Sequence, residues 1–457
     1  MMTSAAKPKE LRLNAFYMNC ITHQSPGLWR HPRDQTQRYT DLDYWVELAR
    51  TLERGYFDAL FLADVLGVYD VYGRNAEAAL RGAVQVPVND PMLLVPTLAY
   101  QTRHLGFGVT SILSYDQPYA FARRMSTLDH LTKGRVGWNV VTGYLDSAAR
   151  ASGRGKQRGH DQRYAVADEY MEVVYKLWEG SWQDDAILRD RDSGIFADPG
   201  RIHKIVHEGE YFRLEGYHLS EPSPQRTPVL FQAGSSTRGR AFAARHAECV
   251  FIAGNSKTEI ARLVSEIRQA AAGHGRDPRD ITVFLSAVAI AGRSRAEAQS
   301  KLDDYRTYGD VEGALVLQSG WQGIDFGAVP LDNPLSSARE TVTQAHDRSD
   351  RAPDPRSVRQ LAEAATLGGG APLLLGTASD IADEMQSWLE EADIDGFNLV
   401  SAVAPETYVD FVDIVVPELQ KRGVYKRDYR SGTLREKLGD RPRLHASHPA
   451  ARFRHGN

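Results

Sequence analysis

The chain has 457 residues, a formal net charge of -4, 42% hydrophobic and 25% charged residues, the balance of an ordinary soluble globular protein. Such a charge leaves no footprint for nucleic acid or an acidic membrane surface, and no stretch offers the roughly 18 uninterrupted apolar residues of a membrane helix. The opening MMTSAAKPKE has no apolar signal region, so neither partner is expected and the cytoplasm is the expected compartment.

Eight short apolar runs read as strands, at residues 11–19, 59–64, 105–113, 135–142, 228–234, 248–254, 282–292 and 396–403. Helical segments alternate with them at 41–55, 90–102, 163–180, 256–273 and 379–393. In the first, Leu42, Trp45, Leu48, Ala49 and Leu52 fall on one face, and Gly55 is a stop. Strands apolar on both faces, alternating with helices, call for a parallel sheet, and eight repeats call for a closed (β/α)8 TIM barrel. The expectation is one α/β barrel domain over residues 1–457. An open doubly wound sheet is the alternative, disfavoured because no Gly-rich dinucleotide turn is present.

Two stretches break the rhythm. Residues 181–227 read as a hairpin-bearing insertion, and residues 306–370 as a long polar excursion of the sort that serves as a lid. The basic, periodicity-free segment 430–457 reads as an extended arm, packed on the surface or on a partner subunit.

Barrel active sites gather at the C-terminal ends of strands. Those ends supply Asn19, Cys20 and His23, then Asp64, then Thr110, Ser111 and Ser114, then Asn139, Thr142 and Tyr144, then Gly234, Ser235 and Ser236. This is a mouth of neutral hydrogen-bonding groups, and Phe16, Trp29, Tyr69, Tyr115 and Trp138 are candidates to wall it. Such a lining suits a flat heteroaromatic ligand better than a sugar or a metal. His203 and His207 have an i, i+4 spacing, but their segment alternates like a strand, so no metal site is expected. Cys20 and Cys249 are too few for a disulfide framework and not spaced as a metal clip. Cys20 has no evident base except His23, and no G-x-S-x-G elbow or Walker A loop occurs.

The stretch PVLFQAGSSTRGR (228–240) brings backbone N–H groups, hydroxyls and guanidinium groups to the start of a helix. That suits an anion such as phosphate. An ordinary capped helix start after a βα turn reads equally well.

Several segments, among them NAFYMNCITHQSPGLWRHP (14–32), FDALFLADVLGVYDVYG (57–73), LDHLTKGRVGWNVVT (128–142) and PQRTPVLFQAGSSTRGR (224–240), resemble one family. The chain is similar to the bacterial-luciferase-like flavin-dependent monooxygenases, within their nitrilotriacetate and dibenzothiophene-sulfone group, nearest the long-chain alkane and dimethyl-sulfide monooxygenases. The resemblance runs from about residue 11 to 453. It implies that Gly234, Ser235, Ser236 and either Arg238 or Arg240 face the phosphate of FMN. Asp64, Thr110, His160 and Tyr164 match other FMN-contacting positions, His160 and Tyr164 sharing one helical face.

Enzymes of this family take reduced FMN in trans from an NAD(P)H:flavin reductase and use O2 to insert one oxygen atom into a small organic substrate. By the same resemblance, Thr110 and Asn139 are candidates to hydrogen-bond dioxygen or peroxide, and His23 and Tyr144 for the substrate side. The alkane-oxidising relatives have His where this chain has Tyr144, which leans the expected substrate toward an organosulfur compound, with long-chain alkane as the alternative. A deazaflavin-dependent oxidoreductase and a non-catalytic flavin-binding protein are the other classes considered. A homodimer or homotetramer is expected.

Overall fold

A computed structural model of the chain describes residues 9–234, 236–338 and 355–455. Eight parallel strands close on themselves: Arg12–Met18, Ala59–Ala63, Gly106–Ile112, Val136–Val141, Val229–Gln232, Cys249–Ile252, Thr282–Ala291 and Gly396–Val400, the last pairing with the first. These are the eight runs expected from sequence, and they form a TIM barrel wrapped by helices.

Both faces of each strand are buried, which is why the runs lack a clean polar alternation. Outward residues such as Leu13, Leu60, Val109 and Trp138 pack into the core under the helices. Inward, Phe16, Phe61 and Phe231 fill the barrel edge to face, Phe61 lying 5.5 Å from Phe16 and 5.3 Å from Phe231 between ring centroids. Glycine makes room for these rings. A Cβ at Gly108 would stand 2.7 Å from Phe61 Cδ2, and one at Gly137 would stand 2.6 Å from Phe231 Cε2.

The helix Leu42–Arg54 begins at Asp41, whose carboxylate accepts from Asp43 N–H at 3.0 Å, and buries Tyr44, Trp45, Leu48, Ala49 and Leu52. Leu42, expected on that face, is 46% exposed because it is the first helical residue and lies before the packed turn. Residues 181–227 carry two antiparallel hairpins, Ile187–Asp190 with Ile195–Ala197 and Ile205–Glu208 with Arg213–Gly216.

The described part of 306–370 is not a polar loop. It folds into the helices Val311–Gln322, Leu335–Ala338 and Val358–Ala365, around a satellite core that includes Leu315, Ile324, Phe326, Leu335, Val358 and Leu361. Buried leucines and valines at helical spacing inside a polar-looking composition account for the difference. A further strand, Leu373–Gly376, pairs with the long end of Thr282–Ala291 and was too short to stand out in sequence.

Beyond residue 430 the chain is not simply extended. Thr433 and Glu436 form a capping box that starts the helix Leu434–Gly439. Leu434 sits under Gly106, and Arg435 bonds Glu248 at 2.7 Å and the carbonyls of Gln225 and Thr227, all within this chain. No helix among the described residues is long and apolar enough to cross a membrane.

Candidate active site

A cavity of about 650 Å³ opens at the C-terminal ends of the strands. It has two unlike ends. One is polar, where the helices His160–Tyr175 and Thr237–His246 begin. The other is roofed by the excursion helices and contributes Ile324, Phe326, Leu335, Leu361 and Ala365.

At the polar end, Ser236 is the N-cap of Thr237–His246, its Oγ accepting the Gly239 N–H at 3.0 Å. The same oxygen lies 3.0 Å from His160 Nε2. One turn on, Tyr164 stands 5.2 Å from His160 between ring centroids, the i, i+4 geometry expected from sequence. The backbone approaches these side chains closely. A Cβ at Gly239 would come within 2.7 Å of the Tyr164 hydroxyl, and one at Gly234 within 2.4 Å of Gln232 Nε2. Ser235 lies outside the described residues.

The arginine reading needs correction. Arg238 turns outward to bond the Asp168 carboxylate, with its guanidinium 5.7 Å over the Tyr164 ring, and Arg240 reaches to 3.6 Å from Glu266. Neither lines the cavity, whereas Arg163 does. Arg163 is buried, it donates to the Arg158 carbonyl at 2.8 Å, and its Nε has no partner in the protein. Burial pushes its pKa down, so an anion at this point relieves a real cost. The spacing His160, Arg163, Tyr164 on one helix face carried that signal, and sequence reasoning passed over the arginine.

Asp64 stands on the cavity wall, its carboxyl pushed up to about 7 by burial, with the nearby Asp90 adding to the effect. Thr110 and Asn139 sit opposite each other on adjacent strands, and Asn139 Nδ2 donates to Thr110 Oγ1 at 2.8 Å. Both are buried, and neither is among the cavity-lining side chains, which the neighbouring Val140 and Val141 provide. His23 does line it, edge-on to Phe16 at 4.5 Å, and burial pushes its pKa down to about 3, so the ring is neutral.

Tyr144 lines the wall beside Tyr69, hydroxyl against hydroxyl, and Trp321 Nε1 donates to Tyr69 at 3.0 Å. Gln85 and Trp321 were not singled out in sequence, since nothing local connects positions 69, 85, 144 and 321.

Of the five aromatics proposed as walls, Phe16 and Tyr69 are in place. Trp138 points outward into the core, its Nε1 donating to the Ser111 carbonyl at 3.2 Å, because it alternates with Asn139 along the strand. Trp29 lines a small neighbouring pocket beyond His23 and Gln24, and Tyr115 accepts from Gln157 Nε2 at 2.8 Å outside the cavity lining.

Cys20 is buried, its thiol donating to the Thr22 carbonyl at 3.2 Å, and burial raises its pKa, which disfavours the thiolate form a nucleophile needs. Among the described residues no group of three or more His, Cys, Asp or Glu could hold a metal ion. His207 belongs to a hairpin strand and is tied to Glu169 at 3.1 Å.

Residues 21–396 match the family model described as luciferase-like monooxygenase. The chain belongs to the luciferase-like monooxygenase family. This luciferase-like monooxygenase is 48% identical to the dimethyl-sulfide monooxygenase of Hyphomicrobium sulfonivorans, over 98% of this chain and 94% of that one. It is 50% identical to the long-chain alkane monooxygenase of Geobacillus thermodenitrificans (strain NG80-2), over 98% of both chains. A crystal structure of long-chain alkane monooxygenase superposes with a TM-score of 0.91, covering 98% of this chain and all of the other at 50% identity. The barrel is thus that of an oxidoreductase of this family.

Proposed function

We propose that this luciferase-like monooxygenase is the oxygenase of a two-component system. It takes reduced FMN from a separate NAD(P)H:flavin reductase and, with O2, places one oxygen atom on a small organosulfur substrate of the alkyl-sulfide kind. The single observation that carries the reading is the two-ended cavity, with Ser236, His160, Tyr164 and Arg163 at one end and, under the excursion helices, an aliphatic and aromatic lining that also carries Gln318, Gln322 and Arg356.

The polar end fits a terminal phosphate. Arg163 brings a buried cation with an unpartnered Nε, the helix Thr237–His246 brings its N-terminus, and glycine at 234 and 239 lets the backbone come close. His160 and Tyr164 add donors at the same end, beside Gln232, whose Oε1 has no protein partner, and Asp64 also lines the cavity. Reduced flavin, when bound, supplies the two electrons that let O2 give one atom to the substrate and the other to water.

The rest is the work of this chain's own side chains. Ile112, Val141 and Leu145 keep water from the reacting end, and Tyr69 and Tyr144 give the substrate a fixed wall. His23, held neutral by burial, carries no charge that a thioether would have to meet. Identity alone does not separate the two substrate classes, since the sulfide- and alkane-oxidising relatives stand at 48% and 50%. The tyrosine at 144 supports the sulfide. We further propose a homodimer or homotetramer.

The test is dimethyl sulfide and a long-chain alkane, each incubated with the purified chain, FMN, NADH and O2, with and without an added flavin reductase. Sulfide loss that requires the reductase is expected. Rapid NADH oxidation by the chain alone would contradict the two-component arrangement, and alkane loss without sulfide loss would reassign the substrate. Light scattering that returns a single-chain mass would remove the oligomer.

A further inference from the structure

On the substrate side of the cavity, hydrogen bonds run through four side chains, and their direction is settled at the far end. Gln85 meets the backbone carbonyl of His23 at 2.7 Å. A carbonyl only accepts, so the amide end facing it is the NH2, and the amide oxygen faces Tyr69. Tyr69 therefore gives its one hydroxyl proton to Gln85 Oε1, 3.0 Å away. Trp321 Nε1, which only donates, occupies a lone pair of the same Tyr69 oxygen at 3.0 Å. The contact between the Tyr69 and Tyr144 hydroxyls then has one consistent assignment, in which Tyr144 donates and Tyr69 accepts.

The consequence falls on Tyr144. Tyr69 is 1% exposed and its oxygen is fully engaged, while Tyr144 is only partly buried and lines the cavity. We infer that Tyr144 acts as an acceptor-only group toward the substrate, so this wall favours molecules that bring a hydroxyl or amine hydrogen, or nothing polar, and disfavours a sulfoxide or sulfone oxygen. This rests on the cavity being the oxygenation site and adds the hydrogen-bond polarity of what it accepts. An oxygen acceptor placed against Tyr144 leaves water's donors without finding a replacement, the ordinary basis of discrimination by an unpaired polar group. A thioether is received without conflict.

The experiment compares two small probes by ligand-detected NMR titration of the purified protein: 2-(methylthio)ethanol, which donates, and ethyl methyl sulfone, which only accepts. The wild-type protein is expected to bind the alcohol about fivefold more tightly or better, the factor of one hydrogen bond. Gln85→Asn shortens the amide so that it no longer holds the Tyr69 proton, and asparagine tolerates the left-handed backbone of this position, φ 50°. Tyr69 then donates to Tyr144, the Tyr144 proton turns into the cavity, and the preference falls to unity or reverses. Trp321→Phe removes a donor without changing the order of protons, so its preference is retained.

Three results overturn the inference: a wild-type preference for the sulfone, a preference that survives Gln85→Asn, or one that Trp321→Phe abolishes equally. Failure of both probes to bind removes Tyr144 as a substrate-facing group. An FMN titration of the same samples reads the flavin assignment separately, so its failure is not mistaken for failure of the polarity.

Discussion

Asn139 donates its amide hydrogen to Thr110 Oγ1 across 2.8 Å between adjacent barrel strands, and its amide oxygen has no partner in the protein. Thr110→Val takes away the acceptor and leaves a buried amide donor unsatisfied. A stability loss of about 1–3 kcal/mol by urea unfolding is expected, with the yield of oxygenated product per reduced flavin unchanged. A fall in that yield at intact stability and flavin affinity would instead put the pair at the oxygen site.

Arg163 and Arg238 should separate cleanly. Arg163 lines the cavity with an unpartnered Nε, whereas Arg238 is held by Asp168. Arg163→Met should weaken FMN by about 1.5–3 kcal/mol, the range for hydrogen bonds to charged groups, and leave riboflavin nearly unaffected. Arg238→Ala should change FMN affinity much less. Fluorescence titration with both flavins decides, and equal losses for FMN and riboflavin in Arg163→Met would take the phosphate away from this end.

His160 and Ser236 share one contact of 3.0 Å, so their effects on FMN binding should not add. Each alanine variant is expected to cost about 1 kcal/mol, and the double variant less than the sum. Strict additivity in the titration would mean that the two residues act independently.

The carboxyl of Asp64 is pushed up to about 7, first by burial and then by Asp90. The folded protein thus holds a proton that the unfolded chain, with an ordinary Asp near 3.9, has lost. Its contribution to stability is complete below about pH 4 and is lost as pH rises toward 7. Asp64→Asn, neutral at every pH, should therefore gain on the wild type over that interval, with the Tm difference growing from pH 4 to 7 and then levelling. A difference independent of pH would show that Asp64 ionises normally.

Both cysteines, Cys20 and Cys249, are buried, and burial raises the pKa of each thiol. Neither should react with a maleimide at pH 8 in the folded protein, and both should react in denaturant. Mass spectrometry of the labelled chain reads this directly, and rapid native labelling of Cys20 would reopen a nucleophilic role.

The frame of this protein was legible in its residues. Eight runs of residues apolar on both faces, separated by helices of recognisable period, leave a parallel barrel as the economical solution, and strand ends then nominate Asp64, Tyr144 and Ser236 for the mouth. The His160–Tyr164 pair was legible for the same reason, because helix geometry relates positions i and i+4 without reference to anything distant. Tertiary structure alone decided the rest. Alternation along one strand sends Asn139 inward and Trp138 outward, a choice that depends on register and not on composition. Arg238 looked like the phosphate ligand until Asp168, seventy residues earlier in the chain, captured it. The line from His23 through Gln85 and Tyr69 to Tyr144, with Trp321 alongside, joins segments far apart in sequence. Its direction comes from one carbonyl and one indole N–H, groups whose partners exist only after the barrel has closed and the excursion helix has been laid across its mouth.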